Sequence, residues 1–61
     1  MNKDELYRVH MEWIERCLAA DKLTEWEQDF VTSVKAYLER KGSLSSRQAE
    51  ILEKIYAEKT D

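Results

Sequence analysis

The segment Arg40-Lys41-Gly42-Ser43-Leu44-Ser45-Ser46-Arg47-Gln48 decides the fold, because it ends one helix and begins another. Gly42, the only glycine of the chain, follows two basic residues. Glycine adopts the left-handed conformation that closes a helix, and basic side chains complement the negative end of the helix dipole. Ser45 and Gln48 are spaced as a capping box, which begins a helix. The segment therefore predicts one helix ending near residue 41 and another beginning at residue 46.

An earlier break at Ala20–Thr24 has the same character. Thr24 and Glu27 form a second capping box, and Asn2 with Glu5 forms a weaker one near the start of the chain. These signals predict helices over about residues 3–20, 25–41 and 46–58. Because the connections are short, consecutive helices should run antiparallel. The fold class is therefore all-α, a three-helix bundle in which residues 1–61 form a single domain.

The second and third helices repeat a pattern at an offset of 21 residues. Two explanations stay open, a duplication or two capped amphipathic helices that look alike for physical reasons. The matching positions are Leu23 with Leu44, Thr24 with Ser45, Glu27 with Gln48, Phe30 with Ile51, Val31 with Leu52, and Val34 with Ile55.

Composition excludes several classes of protein. The 61 residues are 43% hydrophobic and 38% charged, with a net charge of −3. The single cysteine forms no intrachain disulfide and suits a reducing compartment. The sequence has no apolar run near the ~20 residues needed to cross a bilayer, and residues 1–5 lead into no signal-peptide core. We expect a cytoplasmic protein with no membrane partner.

No arrangement of residues predicts catalysis, a cofactor or a metal. His10 and Cys17 lie seven apart on one helix, but a structural zinc site needs four ligands. Their separation, ~10 Å by helical rise, is too great for a nucleophile and its base. Phosphate-binding loops, catalytic triads and EF-hand spacings are also missing from the sequence. We therefore expect a non-enzymatic protein.

Helical periodicity predicts the core. In each helix the apolar residues occupy one arc of the surface at 100° per residue, and we place the centre of each arc inside the bundle. The predicted core residues are Leu6, His10, Ile14, Cys17, Leu18, Trp26, Phe30, Val34, Leu38, Leu52, Ile55 and Tyr56.

The first helix has more apolar surface than an outer helix of a bundle requires. Its apolar arc covers about 200°, against a little over ~100° for one buried face. Either one edge is an interface with another protein or a second copy, or this helix is central and both edges are buried inside the chain. The candidate partner-binding residues are Tyr7, Val9, Met11, Trp13 and Ala20. In a symmetric dimer we expect Trp13 nearest the two-fold axis.

A DNA- or RNA-binding module is the alternative function. Helix-turn-helix proteins use a short Gly-containing turn before the helix that reads the major groove. Glu50, Glu53 and Glu58 on the third helix count against this alternative. Glu25, Glu27 and Asp29 complement the dipole of the second helix, or else they mimic nucleic-acid phosphates or meet a basic partner. The candidate nucleic-acid-binding residues are Lys35, Arg40, Lys41, Arg47 and Lys54.

Two segments of the chain are Leu23-Thr24-Glu25-Trp26-Glu27-Gln28-Asp29-Phe30 and Leu44-Ser45-Ser46-Arg47-Gln48-Ala49-Glu50-Ile51-Leu52-Glu53-Lys54-Ile55-Tyr56. Together they resemble a short helical module found in phage and mobile-element proteins. The resemblance covers about residues 23–58 and is carried mostly by caps and core positions, so it implies an architecture and no catalytic residue. Together with the surplus apolar arc, it predicts a phage-type adaptor or inhibitor that docks on another protein.

Overall fold

A computed structural model describes residues 3–60 and contains three α-helices. They are α1 (Lys3–Ala20), α2 (Glu25–Lys41) and α3 (Ser46–Lys59). The predicted all-α three-helix bundle is confirmed, and α3 continues one residue beyond the predicted end. The predicted cap at Asn2 lies outside the described residues.

Both predicted capping boxes are formed. The backbone N–H of Thr24 donates to Glu27 Oε1 at 2.9 Å, and the Glu27 N–H donates to Thr24 Oγ1 at 3.1 Å. Ser45 and Gln48 make the same reciprocal pair at 2.9 and 3.1 Å. Each box satisfies two backbone donors that the first turn of a helix otherwise leaves unpaired.

Both inter-helix breaks use the left-handed conformation. Gly42 has φ +82°, and its N–H donates to the carbonyl oxygen of Leu38 at 2.8 Å. Asp21, directly after α1, has φ +56° although it carries a Cβ atom. The glycine at position 42 predicts the first of these conformations, whereas nothing in the sequence predicts the second.

Helix α1 is the central helix of the bundle. It packs against both α2 and α3, which pack less closely against each other. Trp13 of α1 stacks on Tyr56 of α3, and the ammonium of Lys59 at the end of α3 meets Glu27 at the start of α2. Helix α3 is therefore parallel to α1 and antiparallel to α2. The central position of α1 agrees with the central-helix alternative, but the residues at the two edges of its apolar arc are half-buried or exposed, so neither edge is fully buried inside the chain.

The core lies between α1 and the inner faces of α2 and α3. Six of the predicted core residues are buried, and His10, Phe30 and Tyr56 are half-buried. Val31, which the predicted core omitted, is fully buried because it lies on the α1-facing side of α2. The buried residues are Ile14, Cys17, Val31, Val34, Leu38, Leu52 and Ile55.

Three predicted core residues are on the surface. Leu6 is 39% exposed and Leu18 is 36% exposed, because the arc of α1 is wider than the two neighbouring helices cover. Trp26 is 63% exposed, because it lies in the first turn of α2 on the side that turns away from α1. The prediction that these three residues are buried is wrong.

The sequence repeat has a structural counterpart. Helices α2 and α3 both start with a capping box. Residues at the same distance from that box lie on the same side of their helix, so matching positions of α2 and α3 face α1 in the same way. Residues at matching positions consequently have matching burial. Val31 and Leu52 are both buried, as are Val34 and Ile55, while Phe30 and Ile51 are both half-buried.

Candidate protein-interaction surface

The candidate partner-binding residues of α1 are all half-buried. Tyr7, Met11 and Trp13 pack against the core within the chain. The Trp13 ring is 5.3 Å from that of Tyr56 at 21°, and 5.4 Å from that of His10 at 55°. One edge of α1, including its largest side chain, is therefore covered by α3.

The remaining two candidates, Val9 and Ala20, extend along the same edge of α1. Ala20 lines a shallow crevice beside Lys59 and Thr60, where the ends of α1 and α3 come together. Tyr7 and Met11 belong to the opposite edge of the α1 arc, so the five candidates do not form one continuous surface. Their role in binding a partner stays a prediction.

Trp26 is the most exposed large apolar side chain of the described residues. Its ring stacks on Phe30 one turn further along α2, at a centroid distance of 5.5 Å and an interplanar angle of 10°. The stacking holds Trp26 in one orientation while its outer face stays in solvent. Periodicity did not predict this surface, because Trp26 falls at one edge of the apolar arc of α2, where buried and exposed positions follow the same pattern.

Trp26 stands over a groove of about 400 Å³ between α2 and α3. All lining residues come from these two helices, so the groove opens on the side away from α1. Ile51 and Ile55 supply its apolar part, and Lys54, Glu27 and Glu58 supply charge. The groove exists because α2 and α3 pack less closely against each other than against α1.

An aromatic stripe continues the groove along α2. Trp26, Phe30, Ser33 and Tyr37 lie within about 60° of one another around the helix axis, and we call them the α2 stripe. Phe30 and Tyr37 are half-buried, while Ser33 and Trp26 are exposed. The stripe therefore offers aromatic surface over three turns of one helix.

Glu27 is held at the end of the groove by two partners. Its carboxylate accepts the N–H of Thr24 at 2.9 Å and meets the Lys59 ammonium at 3.4 Å. The Thr24 hydrogen bond first, and Lys59 second, lower the pKa of the Glu27 carboxyl below its ordinary value. Glu27 is therefore ionised near neutral pH and fixed in place, as a rigid rim of the groove.

The candidate nucleic-acid-binding residues do not form one basic surface. Arg40 and Lys41 end α2 and Arg47 begins α3, so these three surround the turn at Gly42. Lys54 lies two turns further along α3, in the groove beside Glu58. Lys35 is half-buried and about 140° around α2 from Arg40.

His10 and Cys17 belong to the packing of α1. Burial lowers the pKa of His10 below its ordinary value, opposed by the Glu53 carboxylate. Burial, with a smaller effect from Glu27, raises the pKa of the fully buried Cys17 thiol. Within residues 3–60 no three His, Cys, Asp or Glu side chains are placed to hold a metal ion.

No protein-family model, curated protein or solved structure matches this chain. Over residues 3–60, none of the helices combines the length and the apolar character that spanning a membrane requires.

Proposed function

We propose that this chain is a small non-enzymatic protein-interaction module, which docks on another protein chain through the α2 stripe and the adjoining groove. The observation that supports this most directly is Trp26, 63% exposed above an apolar groove. In a protein of this size, an exposed tryptophan beside two isoleucines marks an interaction site more readily than scattered single apolar residues do.

The stripe has the composition of an interaction hot spot. Tryptophan and tyrosine are enriched at such positions because they supply large apolar area with few rotatable bonds. The stack of Trp26 on Phe30 reduces the conformational freedom that binding would otherwise remove. Complete burial of Trp26 by a partner should contribute about 2 kcal/mol or more to affinity, roughly 30-fold in the dissociation constant.

The groove has the shape of a site for a helix. Its walls are two antiparallel helices, and a third helix lying between them would complete a second bundle layer on the side opposite α1. The resemblance of residues 23–58 to a phage and mobile-element module supports a phage-type adaptor or inhibitor as the specific role.

Affinity capture tests this function. The immobilised wild-type chain should retain a binding protein from a lysate, and Trp26→Glu should lose it, because the substitution removes the largest apolar contact and puts a charge where binding must exclude water. Leu18→Glu is the matched control, since Leu18 is also an exposed apolar residue but lies on α1. Equal capture by wild type and Trp26→Glu, with both chains folded, would refute the proposed surface.

The alternative function, a DNA- or RNA-binding module, is supported by Arg40, Lys41 and Arg47 around the turn at Gly42. Binding through these residues requires affinity that falls steeply as salt rises. Fluorescence anisotropy with labelled duplex DNA and with single-stranded RNA at low salt measures it directly. No binding at low salt dismisses this function, whereas binding that Arg47→Glu abolishes supports it.

A further inference from the structure

We propose that the occupant of the α2 stripe is a second copy of this chain, with the two α2 helices packed antiparallel about a two-fold axis near Ser33 and Ala36. This inference rests on the proposed function, because it names the partner of the same surface. It is supported by the length of the stripe, the small residues at and beside its middle and the position of two charges beside it.

The stripe is long enough for a helix to lie along it. Trp26 and Tyr37 are eleven residues apart, about 16 Å by helical rise. Ser33 lies near its middle and is exposed. Ala36 is exposed beside the stripe, about 60° from Ser33 around the α2 axis, so two helices could approach closely on this side. In a two-fold pair each contact occurs twice, and one face serves both protomers.

The charges beside the stripe match an antiparallel copy. Asp29 and Arg40 are exposed and lie on the same flank of the stripe, within about 20° around the α2 axis. They are ~16 Å apart along the helix, too far to meet within one chain. Neither belongs to an ion pair among the residues 3–60 that the structure describes.

Antiparallel packing about the stated axis brings these charges together. In such a pair, the same flank of both helices lies on the same side of the interface. Two residues of that flank that lie at equal distances from the axis, one on each side of it, therefore come side by side between the two chains. Asp29 of one protomer then lies beside the partner's Arg40, and the reciprocal pair forms by symmetry. Parallel packing about a two-fold axis would instead put this flank of the two copies on opposite sides of the interface, so Asp29 of one copy would not reach Arg40 of the other.

The same geometry accounts for Trp26. Beyond Asp29, it lies toward the end of the partner's α2, which carries the partner's Lys41. A basic side chain over the exposed face of the Trp26 ring would make a cation–π contact. A domain this small gains from added burial, since chains of this length bury only roughly 60% of their unfolded surface.

Charge reversal with sedimentation equilibrium tests the inference. The wild-type chain should show a monomer–dimer equilibrium, with an average mass above the single-chain mass of 7.3 kDa. Asp29→Arg and Arg40→Asp should each weaken dimerisation about tenfold or more, since each substitution makes both symmetric pairs repulsive. The double variant Asp29→Arg/Arg40→Asp should restore it to within about threefold, because both pairs are re-formed with reversed sign.

The double variant separates pairing from helix stability. Both substitutions oppose the dipole of α2, so effects on the helix alone would make the double variant the weakest dimer. Glu39→Arg is the matched control, because Glu39 is exposed on the far side of α2, about 150° from the stripe. It should leave dimerisation unchanged, and circular dichroism should show equal helicity in all the variants.

Three results would overturn the inference. The first is a 7.3 kDa mass for wild type at millimolar concentration. The second is a double variant no better than either single one. The third is a dimer that neither charge reversal weakens. That result would place the dimer interface elsewhere, and the edge of α1 that carries Trp13 would be tested next. If a monomeric chain still captures a protein in a Trp26-dependent manner, the proposed function stands and only the second copy is excluded.

Discussion

Replacement of Asp21 by glycine should stabilise the bundle. Asp21 follows α1 with φ +56°, a conformation in which a Cβ atom crowds the backbone. Its carboxylate also lies at the negative end of the α1 dipole, where the last turn of the helix carries no basic residue. Gly42 occupies the equivalent position after α2 with φ +82°, and glycine is the residue that most often takes this left-handed position at a helix end.

The magnitude follows from three contributions. The left-handed conformation costs a residue with a Cβ atom about 1–2 kcal/mol, and aspartate lies at the low end because its side chain tolerates that conformation. Removing the carboxylate from the helix end adds about 0.3 kcal/mol or more. The greater freedom of glycine in the unfolded chain offsets about 0.4–1 kcal/mol. Asp21→Gly should therefore gain about 0.5–1 kcal/mol, a rise of roughly 2–8 °C in Tm.

Thermal and urea denaturation followed by circular dichroism measure this gain. Asp21→Asn is the matched control, because it removes the charge and keeps the Cβ atom, so it should give only the electrostatic part. Gly42→Ala should lose about 1 kcal/mol, all of it conformational, since an added Cβ meets nothing within 4 Å. The left-handed conformation costs alanine about 1–2 kcal/mol, and its lower freedom in the unfolded chain offsets about 0.4–1 kcal/mol of that. If Asp21→Gly leaves stability unchanged or lowers it, while Gly42→Ala lowers it as expected, the left-handed conformation of Asp21 does not destabilise the end of α1 and the prediction is wrong.

Three other predictions concern the core. Burial lowers the pKa of His10 in the folded chain, so as the pH falls the histidine of the unfolded chain is protonated before that of the folded chain. The free energy of unfolding should therefore be highest above the ordinary pKa of 6.5 and should decrease as the pH drops below it. His10→Gln should remove that dependence between pH 7.5 and 5.5, and an unchanged slope would exclude His10 as its source. The Cys17 thiol, buried and with a raised pKa, should react with a disulfide reagent only as fast as the chain unfolds; fast labelling in folded protein would contradict its burial. Leu52→Ala should cost about 2–5 kcal/mol in urea denaturation, and Phe30→Ala clearly less despite its larger side chain, because Phe30 is only half-buried; the reverse order would contradict the assigned core.

The sequence alone was sufficient for the helices and their ends. Capping boxes at Thr24 and Ser45 and the glycine stop at Gly42 are interactions among residues a few positions apart. Such signals act within one turn of chain, so they do not depend on how the helices pack. Periodicity likewise identified the centres of the buried faces, among them Ile14, Leu38 and Leu52. The left-handed Asp21 was missed because aspartate carries no signal as strong as that of glycine.

Tertiary structure alone decided which edge of each apolar arc is covered. The same periodicity describes Trp13 and Trp26, yet Trp13 is stacked on Tyr56 whereas Trp26 is 63% exposed. The difference arises because α1 packs against both other helices and α2 and α3 pack less closely together, which opens the groove beneath Trp26. The width of an apolar arc indicates how much surface a helix must bury. Only the positions of the neighbouring helices determine which part of that surface stays exposed and accessible to a partner.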